Sequence, residues 1–124
     1  MIYFIGAGPG AADLITVKGK ELLEKADLII YAGSLVNPEL LKYAKPECII
    51  MDSAKMTLEE VIAAMVPAAQ AGKLVVRLHT GDPSVYGAHR EQIDLLRSYN
   101  LDFEIVPGVS SFCAAAACLD AEYT

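Results

Sequence analysis

Five short apolar runs recur along the chain, each followed by a turn-rich stretch and then a segment with helical spacing. They are Ile2–Ile5, Leu28–Tyr31, Cys48–Met51, Leu74–Leu78 and Phe103–Val106. Runs this short, with little polar alternation, suit strands buried on both faces, and strands that alternate with helices imply a parallel sheet. Chain chirality makes the crossovers right-handed. The expected fold class is α/β: an open, doubly wound, parallel five-stranded sheet with helices on both faces. At 124 residues the chain suits one such domain and is long enough to bury a core.

Local signals set the expected boundaries. Leu14, Val17, Leu22, Leu23 and Ala26 form a helical stripe, with Thr16 as N-cap. Asn37-Pro38 opens a short helix, with proline at the first helical position. Thr57 with Glu60 makes a capping box for a helix that runs to about Ala71 and stops at Gly72. Pro67 is expected to kink that helix. A further helix is expected from about Ala88 to Tyr99, and an alanine-rich one ends near Leu119.

Charge and composition remove several functions. Sixteen acidic residues against ten basic ones give a net charge of −6, with no Lys/Arg cluster, so no nucleic-acid partner is expected. Apolar runs such as Cys113–Leu119 fall far short of the roughly 20 residues of a membrane span, so no membrane partner is expected either. Met1-Ile2-Tyr3-Phe4-Ile5 lacks a basic flank and reads as a first strand, not a signal peptide. Cys48, Cys113 and Cys118 lie in apolar settings and are expected to be buried free thiols in a reducing cytosol. Their spacing fits no zinc pattern, so no metal is expected.

In doubly wound sheets ligands bind beyond the carboxyl ends of the strands. Three strand ends carry distinctive turns: Gly6-Ala7-Gly8-Pro9-Gly10, Thr80-Gly81-Asp82-Pro83 and Pro107-Gly108-Val109-Ser110-Ser111. Glycine lets a ligand approach the backbone, and proline stiffens the turn beside it. Three such loops suit a flat, polar ligand held mainly by main-chain groups. Gly6-x-Gly8-x-x-Ala11 also fits a relaxed dinucleotide fingerprint, leaving a nucleotide- or dinucleotide-binding module as the alternative. That site expects an acid after the second strand, where the chain has Tyr31-Ala32-Gly33-Ser34. There is no serine-hydrolase elbow and no phosphate loop ending in Gly-Lys-Ser/Thr. Asp82 can cap its own turn or accept hydrogen bonds from a ligand. His79 reads as a packing residue ahead of a catalyst.

Tyr3 to Gly10 followed by Asp13 to Gly19, Arg77 to Gly87, and Val106 to Ser111 together resemble the tetrapyrrole (corrin/porphyrin) methylases, in order and over essentially the whole chain. Tyr31 to Val36 and His79 to Gly87 look most like the branch that methylates precorrin-4, with or without cobalt, at C-11 on the route to cobalamin. The resemblance implies a methyltransferase that takes its methyl group from S-adenosylmethionine and releases S-adenosylhomocysteine. Pro9, Thr80, Gly81, Asp82, Val85, Ser110 and Ser111 would line the cofactor site, with Tyr86 as an addition. It also implies a small-molecule tetrapyrrole substrate, a homodimer, and two α/β domains with the cofactor between them. Residues 1–124 would then be the amino-terminal domain, without a second one and inactive alone. No catalytic base is assigned, because Ala32, Gly33 and Ser34 stand where related uroporphyrinogen methylases carry an acid. Lys18, Lys55, Arg77 and Arg90 are candidates, by residue type alone, to meet substrate carboxylates. A sibling that methylates RNA or protein is disfavoured by the acidic charge.

Overall fold

The computed structural model describes residues 1–33, 36–84 and 89–120. Five strands, β1 (Ile2–Gly6), β2 (Leu28–Tyr31), β3 (Ile49–Asp52), β4 (Val75–His79) and β5 (Phe103–Val106), form one sheet in the order β3-β2-β4-β1-β5. All neighbours pair in parallel, as the short apolar runs imply. Helices α1 (Val17–Lys25), α2 (Leu58–Gln70) and α3 (Arg90–Ser98) lie in connections between strands, and α4 (Ser111–Cys118) follows β5.

The pleat sends alternate side chains of each strand to opposite faces, and both faces acquire a core. On one face Ile2, Phe4, Ile30 and Val75 pack with Val61 and Met65 of α2 and with Ile93 and Leu96 of α3. On the other, Ile5, Ile29, Val76 and Leu78 pack with Leu23 of α1 and with Leu40. Gly19 lets α1 lie close to the sheet, since a Cβ there would come within 3.1 Å of the Ile5 side chain. The edge strand β3 departs from the expectation of cover on both faces: Ile49 and Ile50 are exposed.

The caps form where the sequence puts them. Thr16 accepts the Gly19 N–H at 3.0 Å, and Thr57 and Glu60 complete the reciprocal box. Residues Pro38–Tyr43 form a 3₁₀ rather than an α-helix, entered through Asn37, whose side chain accepts the Glu39 N–H. Leu14 belongs to a separate 3₁₀ turn and not to α1. Leu74 precedes β4, because its N–H turns to the Asp27 carboxylate at 2.8 Å. Helix α3 begins at Arg90, and the expected start at Ala88 lies outside the described residues. Helix α2 continues through Pro67. The missing N–H leaves the Ala63 carbonyl without its helical donor, and both residues are exposed to water.

The cysteine expectation is corrected in part. All three thiols are free, but Cys113 and Cys118 are exposed and Cys48 is half-buried. The cause is α4, of which only Ala116 is buried, so its apolar side chains cover no core. Among the described residues no helix is long and apolar enough to cross a membrane.

Candidate functional site

The strand order makes β4, β1 and β5 neighbours, so the three glycine-rich loops emerge side by side at the carboxyl edge. The chain leaves β1 across β4 to reach β2, and leaves β4 across β1 to reach β5. Opposed crossovers of this kind open the crevice where ligands of doubly wound sheets bind.

Direct backbone contacts lock the loops together. The N–H of Ala7 donates to the His79 carbonyl at 2.6 Å, and Gly8 and Gly81 exchange N–H···O bonds of 3.2 and 2.8 Å. Both glycines have positive φ, 85° and 63°, which side chains disfavour. The third loop closes on the other two where Gly6 meets Gly108. A Cβ on Gly6 would lie 2.5 Å from the Gly81 carbonyl oxygen and 2.6 Å from the Gly108 Cα. A Cβ on Gly108 would strike that same oxygen. Three loops from distant parts of the sequence thus touch through atoms that no other residue type leaves bare.

Asp82 fastens the arrangement. One carboxylate oxygen accepts the Ser84 N–H at 2.8 Å and closes its own turn; the other accepts the Gly108 N–H at 2.9 Å and bridges to the third loop. Burial pushes this carboxyl upward, but the N–H groups of Gly108 and Ser84 outweigh it and hold the group below the ordinary carboxylate range. Turn capping is therefore observed for Asp82, together with an inter-loop bond that sequence spacing did not reveal. Asn37 steadies the first loop from the side, donating to the Gly10 carbonyl at 2.7 Å.

Most of the expected site residues come together here. Pro9 adjoins the Gly8–Gly81 bridge, and Thr80, Gly81 and Asp82 form the second loop. A Cβ on Gly81 would sit 3.8 Å from the Ser111 nitrogen and 3.9 Å from the Ser110 Cα, which places both serines beside that loop. Ser110 also caps α4 by accepting the Phe112 N–H. Val85 and Tyr86 lie outside the described residues. Gly6, Gly8 and Gly108 were readable as turn and ligand-approach glycines, but their contacts across the loops were not, since those depend on strand order.

Below the loops, on the α2/α3 face, runs a polar seam. His79 is 4% exposed and stacks on Phe4 with ring centroids 5.9 Å apart. Burial, then the Arg77 charge and His89, push its imidazole down to about 3, so the ring is neutral. Its Nε2 has no hydrogen-bond partner among the described residues. These features fit the packing role read from the sequence. Arg77, 6% exposed, donates to Gln92 Oε1 at 3.2 Å, to the Ile30 carbonyl at 3.2 Å and to Ser53 Oγ at 3.0 Å. It is therefore not a surface charge. Lys18 pairs with Glu104 at 2.7 Å, while Lys55 and Arg90 are exposed. Among the described residues no group of three or more His, Cys, Asp or Glu is placed to hold a metal ion.

A family model of the tetrapyrrole (corrin/porphyrin) methylases matches residues 1–124. The chain belongs to that family. It is 59% identical to the cobalt-precorrin-4 C(11)-methyltransferase of Methanocaldococcus jannaschii, over 99% of this chain and 48% of the relative. The solved structure of a cobalt precorrin-4 methyltransferase superposes with a TM-score of 0.96 at 52% identity, covering 99% of this chain and 52% of that one. A uroporphyrin-III C-methyltransferase from Thermus thermophilus, complexed with S-adenyl homocysteine, superposes with a TM-score of 0.77 at 34% identity, over 93% of this chain and 47% of that one. The chain spans about half the length of the curated relatives it matches.

Proposed function

We propose that this chain is the amino-terminal α/β domain of an S-adenosylmethionine-dependent methyltransferase that methylates a precorrin-4-type tetrapyrrole at C-11 in cobalamin biosynthesis. The observation that carries the reading is the meeting of three glycine loops at one sheet edge, in a chain 59% identical to a cobalt-precorrin-4 C(11)-methyltransferase. The cradle fits a cofactor of this kind: it is bare backbone where a Cβ would intrude, and it offers hydroxyl groups from Thr80, Ser110 and Ser111. Pro9, Thr80, Gly81, Asp82, Val85, Tyr86, Ser110 and Ser111 would hold it.

The bound cofactor supplies an activated methyl group on a positively charged sulfur. The chain's own residues bind, orient and exclude water. Gly8, Gly81 and Gly108 set the floor of the cleft at fixed backbone positions, and Asp82 keeps the second and third loops at one spacing. Alignment of this kind can replace strong acid–base groups, since effective molarities from orientation reach on the order of 10⁵ M or more. No residue is assigned as a base, in keeping with a loop edge whose one acid, Asp82, is engaged by two N–H donors.

The remainder of the full-length protein is taken to form a second domain that completes the cleft and covers α4, where Leu119 is 77% and Phe112 49% exposed. The same reading makes the enzyme a cytoplasmic homodimer with a small-molecule tetrapyrrole substrate; the family resemblance supports this. The test is transfer of a labelled methyl group from S-adenosylmethionine to precorrin-4 or cobalt-precorrin-4 by the full-length protein. Methylation at C-11 by that protein, and none by residues 1–124 alone, is expected. Methylation at another carbon, or none by the full-length protein, would overturn the reading.

A further inference from the structure

Pro9 and Gly10, in the loop that follows β1, are held from outside that loop by a single side chain. On one side of them Gly8 is fixed by its bridge to Gly81, and on the other the Leu14 N–H closes a turn on the Ala11 carbonyl. Between these anchors, Asn37 Nδ2 donates to the Gly10 carbonyl at 2.7 Å, the one hydrogen bond to Pro9 or Gly10 among the described residues. Packing does not take its place. A Cβ on Gly10 would meet nothing within 4 Å, and its φ of 130° is open to glycine and to few other residues. A glycine peptide with free space around it keeps many conformations unless a hydrogen bond selects one.

Both ends of the Asn37 amide are engaged. Its Oδ1 accepts the Glu39 N–H at 2.9 Å, which is the capping bond of the Pro38–Tyr43 helix, while its Nδ2 reaches across 27 residues of sequence to Gly10. Reversing the amide would set oxygen against the Gly10 carbonyl and N–H against N–H, so its orientation is fixed. The backbone beneath it is fixed too, because Val36 before it and Leu40 after it are buried in the same core as Ala7 of the first loop. A supporting group whose own position is locked by packing is what a preorganised site requires. Capping alone asks less of this position. Aspartate and serine cap a helix about as well as asparagine, yet a carboxylate has no N–H to donate.

We propose that Asn37 is a positioning residue of the cofactor cleft: it fixes the Gly10 peptide, and with it Pro9, in the conformation that binds S-adenosylmethionine and S-adenosylhomocysteine. The inference rests on the functional reading above, which puts Pro9 at the cofactor, and adds the β2–β3 connection as a fourth segment that shapes the cleft. Asn37 touches no ligand; it acts through the Gly10 carbonyl. Without that bond the loop spreads over more conformations, and binding has to order it again. Affinity then falls by roughly two- to tenfold, the worth of one net hydrogen bond.

The test is calorimetric titration of S-adenosylhomocysteine into the full-length protein and its Asn37→Asp and Asn37→Ser variants, with melting temperatures measured alongside. Both replacements keep a capping oxygen; aspartate loses the donor, and serine places one polar atom where asparagine places two. Melting temperatures should stay near that of the unaltered protein while affinity falls roughly two- to tenfold. The KM for S-adenosylmethionine should rise by a like factor with kcat little changed, the mark of lost binding and not of lost chemistry. A residue that only caps its helix predicts unaltered affinity, and that outcome in either folded variant overturns the inference while sparing the methylase reading. A fall in kcat at unchanged KM does the same. Asn37→Ala, which removes the cap and the loop bond together, should lower melting temperature and affinity alike; a lower melting temperature with unaltered affinity also overturns the inference. Failure of S-adenosylhomocysteine to bind the unaltered protein would overturn both.

Discussion

Gly108 shows how much a single hydrogen atom in place of a side chain decides. Its Cα faces Gly6, and a methyl group there would strike the Gly81 carbonyl, which belongs to a bridge and cannot swing aside as a flexible side chain can. Gly108→Ala should therefore force the third loop off the other two, at a cost of roughly 1–3 kcal/mol, the range for overpacking. Urea denaturation should show that loss, and ligand titration should show a weakened cleft; an unchanged midpoint would contradict the close approach. His79 carries a second prediction. Its folded value of about 3 lies below the unfolded 6.5, so the unfolded chain takes up a proton that the folded chain refuses. The contribution is fully present above about pH 6.5 and declines by about 1.4 kcal/mol per pH unit as pH falls toward 3. Comparing urea midpoints at pH 7 and pH 5 should give a smaller drop in His79→Phe than in the unaltered chain. An equal drop would place the sensitivity elsewhere.

At the scale of elements, legibility follows sequence distance. The Thr57–Glu60 box, the Thr16 cap and the Asn37-Pro38 entry were readable because donor and acceptor lie two to three residues apart. The central strands β1, β2 and β4 were readable because burial on both faces leaves a continuous apolar run, and the edge strands β3 and β5 because their residues are mostly apolar although partly exposed. The Asp82–Gly108 bond, the Gly8–Gly81 bridge and the burial of Arg77 were not, since each joins segments brought together only by the order β4-β1-β5 or β2-β4. The cysteines failed for a related reason. Apolar composition marks α4 as covered, but within the fold only its Ala116 is buried. An eight-residue helix is too short to hold itself in water. In residues 1–124 alone, the amides of α4 should exchange much faster than those of β1 and β4, and joining the rest of the protein should slow them. Equal protection in the short chain would show that α4 needs no partner.

Across the whole molecule, the account joins a generic sheet to a specific edge. The two cores hold β4, β1 and β5 in register, and that register alone makes three remote glycine loops into one cleft. The net charge of −6 and the buried Arg77 are not in conflict, because solvent and salt screen surface carboxylates far more than they screen a buried ion. The functional reading then stands on whether this cleft takes the cofactor. The most direct measurement follows backbone amide shifts as S-adenosylhomocysteine, and separately NAD, is added to the isotope-labelled full-length protein. Shifts with S-adenosylhomocysteine that cluster at Gly8, Gly81, Asp82, Ser110 and Ser111 are the predicted result. Shifts with NAD alone, or with S-adenosylhomocysteine at residues remote from the three loops, would contradict it.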